Sequence, residues 1–130
     1  MNNIKVFEND LPDIDLSDEK TVSLDCEALG LVLGRDPLTL VQIGLESKQF
    51  YVIKLNRKTY NAPNLVKLLS NTKTEFIMHY ARQDLMWLKY HLKIVPQKIF
   101  CTKLASKIAR TASSNHGYKD LEHYRFFYLI

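Results

Sequence analysis

The chain has 130 residues, 46% of them hydrophobic and 25% charged, with a formal net charge of +4. That is enough for one globular domain with a core. No apolar run approaches the ~20 residues of a membrane span, and two distant cysteines, Cys26 and Cys101, make neither a disulfide framework nor a zinc pattern. The mild positive balance is compatible with nucleic acid without establishing it.

The start, Met1-Asn-Asn-Ile-Lys-Val-Phe-Glu8, has no apolar signal region, so a cytoplasmic protein with no membrane partner is expected. Ile4 to Phe7 alternates and predicts a short edge strand. Asn9 to Glu19 is acidic, contains Pro12 and reads as a loop. Val22 to Cys26 reads as a strand. Gly30 and Gly34 bracket Leu31–Leu33, and Arg35-Asp-Pro37 makes a turn. Leu38–Gly44 and Lys48–Lys54 read as two strands with a hairpin-sized gap between them.

The period then changes. Pro63 suits a first helical position, and Leu65, Val66, Leu68 and Leu69 follow at helical spacing. Glu75–Met78 reads as a strand and Gln83–Leu92 as a helix with Leu85, Leu88 and Leu92 on one face. Lys98–Phe100 reads as a last strand. Thr102 is placed to cap a helix running to about Ala109. Asn115-His-Gly117 reads as a turn, and Tyr118 as the start of another helix. Three strands in a meander followed by helix–strand alternation predict an α/β domain with a mixed sheet.

Two stretches carry chemistry. In Thr21-Val-Ser-Leu-Asp-Cys-Glu-Ala-Leu-Gly30, strand alternation points Asp25 and Glu27 the same way. Adjacent carboxylates repel unless a cation or proton lies between them, and a hard divalent metal with oxygen ligands relieves this. The alternative is a strand end with two solvated acids. His79-Tyr-Ala-Arg-Gln-Asp84 follows a strand, and Asp84 is expected to open the next helix. Strand ends and helix starts meet at one crevice in α/β sheets, so Asp84 can reach the carboxylates of Asp25 and Glu27. Its other reading is electrostatic support of the first helical turn.

These stretches, with the collinear blocks Asp25–Leu31, Ala62–Ser70, His79–Leu85, Phe100–Lys107 and His116-Gly117, resemble the DEDD 3′–5′ exonucleases of ribonuclease D type. The closer likeness is to the small single-domain nanoRNase C branch, which degrades very short RNAs. The resemblance runs from about Ile4 to about Leu121 and implies a ribonuclease H-like fold over one domain, residues 1–130. It also implies two-metal phosphodiester hydrolysis with Mg2+ or Mn2+. The substrate would be short RNA, or another single-stranded 3′ end, releasing nucleoside 5′-monophosphates. Asp25, Glu27 and Asp84 match three metal ligands. Leu29 and Leu31 match apolar residues that wedge against the terminal base, with ordinary core packing as the alternative. Tyr80 and Arg82 flank the crevice and suit a base or a phosphate. His79 is expected there as a hydrogen-bonded residue. The branch forms rings, so a homo-oligomer is a further expectation.

The family's third motif, Tyr-x-x-x-Asp, supplies a water-positioning tyrosine and a fourth carboxylate. The late candidates here, Tyr118 with Asp120 and Glu122, or Tyr124 and Tyr128, do not make a Tyr-x-x-x-Asp. A domain incomplete at its C-terminus is therefore expected, with impaired activity. A non-catalytic module for nucleic-acid binding or assembly is the alternative. Lys103, Lys107 and Arg110 share one helix face by spacing and read as solvated or as facing phosphates. Cys26 and Cys101 read as small hydrophobes, and Trp87 as helix packing.

Overall fold

The computed structural model describes residues 3–111 and 114–115. In chain order these form β1 (Asn3–Asn9), β2 (Thr21–Ala28), β3 (Leu38–Leu45), β4 (Gln49–Leu55), α1 (Pro63–Leu69), β5 (Glu75–Met78), α2 (Ala81–Trp87), β6 (Ile99–Cys101) and α3 (Thr102–Ala109). Beyond Trp87, α2 continues as a wider π-wound stretch, Leu88–Leu92.

The strands make one sheet in the order β1-β4-β3-β2-β5-β6. β2, β3 and β4 are the expected antiparallel meander. β1 joins its outer edge parallel to β4, while β5 and β6 run parallel to β2 on the other side. The register separates two faces. Val22, Leu24, Val41, Ile43, Ile53, Phe76 and Met78 share one parity and are buried. They form a single core with Leu65 and Leu69 of α1 and with Trp87, Leu88 and Leu92. The opposite face carries Ile4, Phe50, Val52, Gln42, Gly44, Ser23 and Asp25. There Ile4 and Val6 stay exposed, and Leu40, Gln42, Phe50 and Val52 are only half-buried.

Pro63 takes the first helical position of α1 as expected. Its open N–H groups are satisfied from a distance. The Asp10 carboxylate accepts the backbone N–H of Asn64 and of Leu65, both at 2.9 Å.

The four strands before α1 differ from expectation by one or two residues at their ends, and three later differences bear on the site. The helix read as Gln83–Leu92 begins at Ala81, because Tyr80 adopts a left-handed conformation (φ 56°) that turns the chain sharply out of β5. Asp84 thus lies in the first turn of α2 and does not open it. Strand β6 is shifted by one residue. Thr102 is not the cap of α3 but its first residue, with Cys101 extended before it. The Thr102 hydroxyl is engaged instead with Met78 O at 3.3 Å and with Nδ1 of His79 at 2.8 Å. Of the expected Asn115–Gly117 turn, only Asn115 is described. The expected helix from Tyr118 and the late candidates Asp120, Glu122, Tyr124 and Tyr128 lie outside the described residues. No described helix is long and apolar enough to cross a membrane.

Candidate active site

The site forms where β2, β5 and α2 meet. Asp25 and Glu27 lie toward the end of β2, which runs on past its pairing with β5. A bulge between Glu27 and Ala28 shifts the register against β3, as bulges near functional sites often do to re-aim side chains. The Thr39 hydroxyl donates to Glu27 O at 2.7 Å and secures this point. Glu27 is exposed, Asp25 half-buried and Asp84 buried.

The three carboxylates lie within one another's electrostatic reach. Burial, together with the negative charges of Asp25 and Glu27, pushes the Asp84 carboxyl up to about 7. Burial also raises the Asp25 carboxyl, against a hydrogen bond from the backbone N–H of Cys26. Cys26, on the opposite face of β2, packs against the core. Its thiol is pushed well up, first by burial and then by the charges of Asp84, Asp25 and Glu27. It is therefore held as a neutral thiol. Among the described residues, no three His, Cys, Asp or Glu side chains are drawn close enough to cage an ion as they stand. The donor set nevertheless fits a hard divalent cation. It consists of carboxylate oxygens, and burial makes two of the three, Asp25 and Asp84, resist ionisation.

On the open face a groove of about 490 Å3 runs from Asp25 and His79 past Ser23 and Gln42 to Phe50 and Val52. His79 is fixed by its ring contact with Thr102. Burial, helped by the positive charge of Lys103, lowers its pKa and favours the neutral ring. Tyr80 and Arg82 are exposed beside it. Leu29 and Leu31 are exposed at 64% and 81% on the connection between β2 and β3. That exposure excludes core packing for both leucines.

Sequence reasoning undervalued two residues. Thr102 looked like a cap and instead anchors His79. Lys103 looked like one member of a solvated stripe, yet its Nζ lies 3.7 Å from the centroid of the Tyr80 ring. Arg110 of the same stripe turns back to Ser106. No local pattern signals these contacts, since each joins segments far apart in the chain.

Residues 14–127 match the family model described as 3′–5′ exonuclease. Comparison with curated proteins gives no match. Among solved structures, Brucella melitensis NrnC bound to pGG is 38% identical with a TM-score of 0.89, covering 98% of this chain and 62% of that one. Brucella melitensis NrnC with bound Mg2+ is 41% identical, with a TM-score of 0.86 and coverage of 91% and 59%. Escherichia coli RNase D, an exoribonuclease involved in structured RNA processing, shares the fold at 18% identity and a TM-score of 0.64. The chain thus spans about three-fifths of the NrnC chains.

Proposed function

Since the chain belongs to the 3′–5′ exonuclease family, we propose that its site hydrolyses short RNA one residue at a time from the 3′ end, releasing nucleoside 5′-monophosphates. The observation that carries this reading is the gathering of Asp25, Glu27 and Asp84 where β2 meets α2, with burial first and the charges of Asp25 and Glu27 second pushing the Asp84 carboxyl up to about 7. A fold tolerates such a cluster when a ligand repays it.

Asp25, Glu27 and Asp84 would hold Mg2+ or Mn2+, and the bound ions would supply an activated water and a stabilised leaving oxygen. The chain's own residues do the rest. The half-buried setting of Asp25 strengthens its attraction for a cation by excluding water. His79, neutral and held by Thr102, lines the groove beside Asp25 and presents a hydrogen-bonding edge there without adding charge. Tyr80 and Arg82 offer a ring face and a guanidinium to a base and a phosphate. Leu29 and Leu31 offer apolar contact to the terminal bases.

The test is hydrolysis of a 5′-labelled short RNA in manganese. Asp25→Ala should abolish product, and the labelled product of the parent chain should shorten from the 3′ end. Binding of the RNA with no turnover above the Asp25→Ala blank would instead support a non-catalytic nucleic-acid-binding module.

A further inference from the structure

The connection from Leu29 to Pro37 presents Leu29, Leu31, Val32 and Leu33 to solvent. Aliphatic side chains on a floppy loop would fold back onto the nearest apolar surface. This loop is closed from within. Leu29 N–H donates to Pro37 O at 3.0 Å, and Asp36 N–H donates to Val32 O at 2.9 Å. The Asp36 carboxylate, though it comes from the surface, is only 12% exposed. It accepts the backbone N–H of Val32 at 2.9 Å, with that of Leu31 near enough to favour its charged form. It also takes a two-pronged contact from the Arg35 guanidinium at 2.7 and 2.8 Å.

The carboxylate rests directly on Gly30. A methyl group built there would lie 2.2 Å from Asp36 Oδ2, so Gly30 is required for space. The loop is also braced from below by the π-wound end of α2. Tyr90 reaches under Gly34, which has φ +87°, and the His91 ring lies beside the backbone of Asp36. The His91 ring is itself clamped by Tyr60, Tyr90 and Trp87, at centroid distances of 4.3, 4.9 and 5.7 Å.

We propose that Asp36 is a positioning residue for short-RNA recognition: its carboxylate, seated on Gly30, fixes the backbone of Leu31 and Val32 so that Leu29 and Leu31 stand rigidly at the substrate's bases. It rests on the reading of Leu29 and Leu31 as base contacts. Asp36 touches neither substrate nor metal in this scheme. It sets affinity by removing the ordering cost that a loose loop would bear on binding.

The experiment measures equilibrium binding of a labelled diribonucleotide to the full chain, with calcium as a divalent ion, for Leu31→Ala, Asp36→Ala, Asp36→Asn and Gly30→Ala. Leu31→Ala, Asp36→Ala and Gly30→Ala should each weaken binding about ten-fold, within the range of one apolar contact. Asp36→Asn, which keeps the shape and one acceptor but loses the Arg35 pair, should weaken it less. It also serves if Asp36→Ala fails to fold. The Leu31→Ala/Asp36→Ala double variant should lose less than the sum of the two single losses, because Asp36 acts in part through Leu31 and otherwise only through Leu29. Gly30→Ala should add little to Asp36→Ala, which removes the two carboxylate atoms nearest the new methyl and leaves Asp36 Cβ at 3.2 Å. Additive losses in the first double variant, or Asp36 variants that bind like the parent while Leu31→Ala does not, would overturn the role of Asp36. If Leu31→Ala itself binds like the parent, the base-contact reading fails and the proposal falls with it.

Discussion

At the scale of single residues, Asp84 records a conflict. In an unfolded chain its carboxyl would titrate near ~3.9; in the fold, burial and the charges of Asp25 and Glu27 move it to about 7. Between those values the native state keeps a proton that the unfolded state has lost. Stability therefore falls as pH rises through this window and levels off above it. A shift of this size corresponds to a few kcal/mol, at ~1.4 per unit. In chelator, Asp84→Asn should raise the melting temperature at pH 8 and change it little at pH 4.5; an effect of equal size at both would remove the electrostatic explanation. Millimolar manganese at pH 8 should stabilise the parent chain by mass action, ~2.7 kcal/mol if present at a hundred times its Kd. Asp25→Ala should lose that response in the same melts. The carboxylates were legible in the sequence because strand alternation and the strand-to-helix junction are local patterns. The seating of Asp36 on Gly30 and the Lys103–Tyr80 contact were not, since spacing along the chain says nothing of how closely two backbones approach.

At the scale of elements, the apolar pattern identified the strands of the meander and the helices α1 and α2, because burying one face requires it whatever the surroundings, while α3 was legible through Thr102 and β1 keeps its alternating Ile4 and Val6 exposed. The ends moved because tertiary contacts set them. Thr102 shows the cause. Its hydroxyl has the chemistry of an N-cap, but the end of β5 offers Met78 O and the His79 ring, and α3 begins one residue earlier than a cap at Thr102 would allow. This hydroxyl ties α3 to β5 and orients a residue of the groove. Thr102→Val removes it at nearly constant shape and takes a hydrogen bond from Met78 O and from the His79 ring, which costs about 1–3 kcal/mol. Thr102→Ser should recover most of that. Chemical denaturation checks it: a Thr102→Val chain as stable as the parent would mean the hydroxyl contributes nothing. The π-wound end of α2 was also invisible in the sequence, where Leu88 and Leu92 fit an ordinary helix. The wider turn lets Tyr90 and His91 support the loop carrying Leu29 and Leu31.

At the scale of the whole molecule, the two faces of the sheet are unequal. One carries the core with α1 and α2, while the other leaves Ile4 and Val6 exposed and Phe50 and Val52 half-covered; Leu104 and Ile108 of α3 are exposed as well. Apolar surface of this extent favours association. The polypeptide of residues 1–130, examined alone by sedimentation at micromolar concentration, should therefore self-associate, and Val6→Lys should reduce it. The same polypeptide contains three of the carboxylates that the family resemblance assigns to catalysis, but no late Tyr-x-x-x-Asp to aim the water and supply a fourth ligand. General acid–base assistance is worth typically 10²–10⁴-fold. Losing a water-positioning group and a metal ligand acts twice on one transition state, so the losses do not simply multiply. Residues 1–130 should accordingly hydrolyse a 5′-labelled dinucleotide in manganese at least ~100-fold more slowly than a nuclease carrying all three motifs, by that general acid–base magnitude. Single-turnover rates against the Asp25→Ala blank decide it. Turnover near that of the complete enzyme, abolished by Asp25→Ala, would show that Asp25, Glu27 and Asp84 suffice and that the third motif is dispensable.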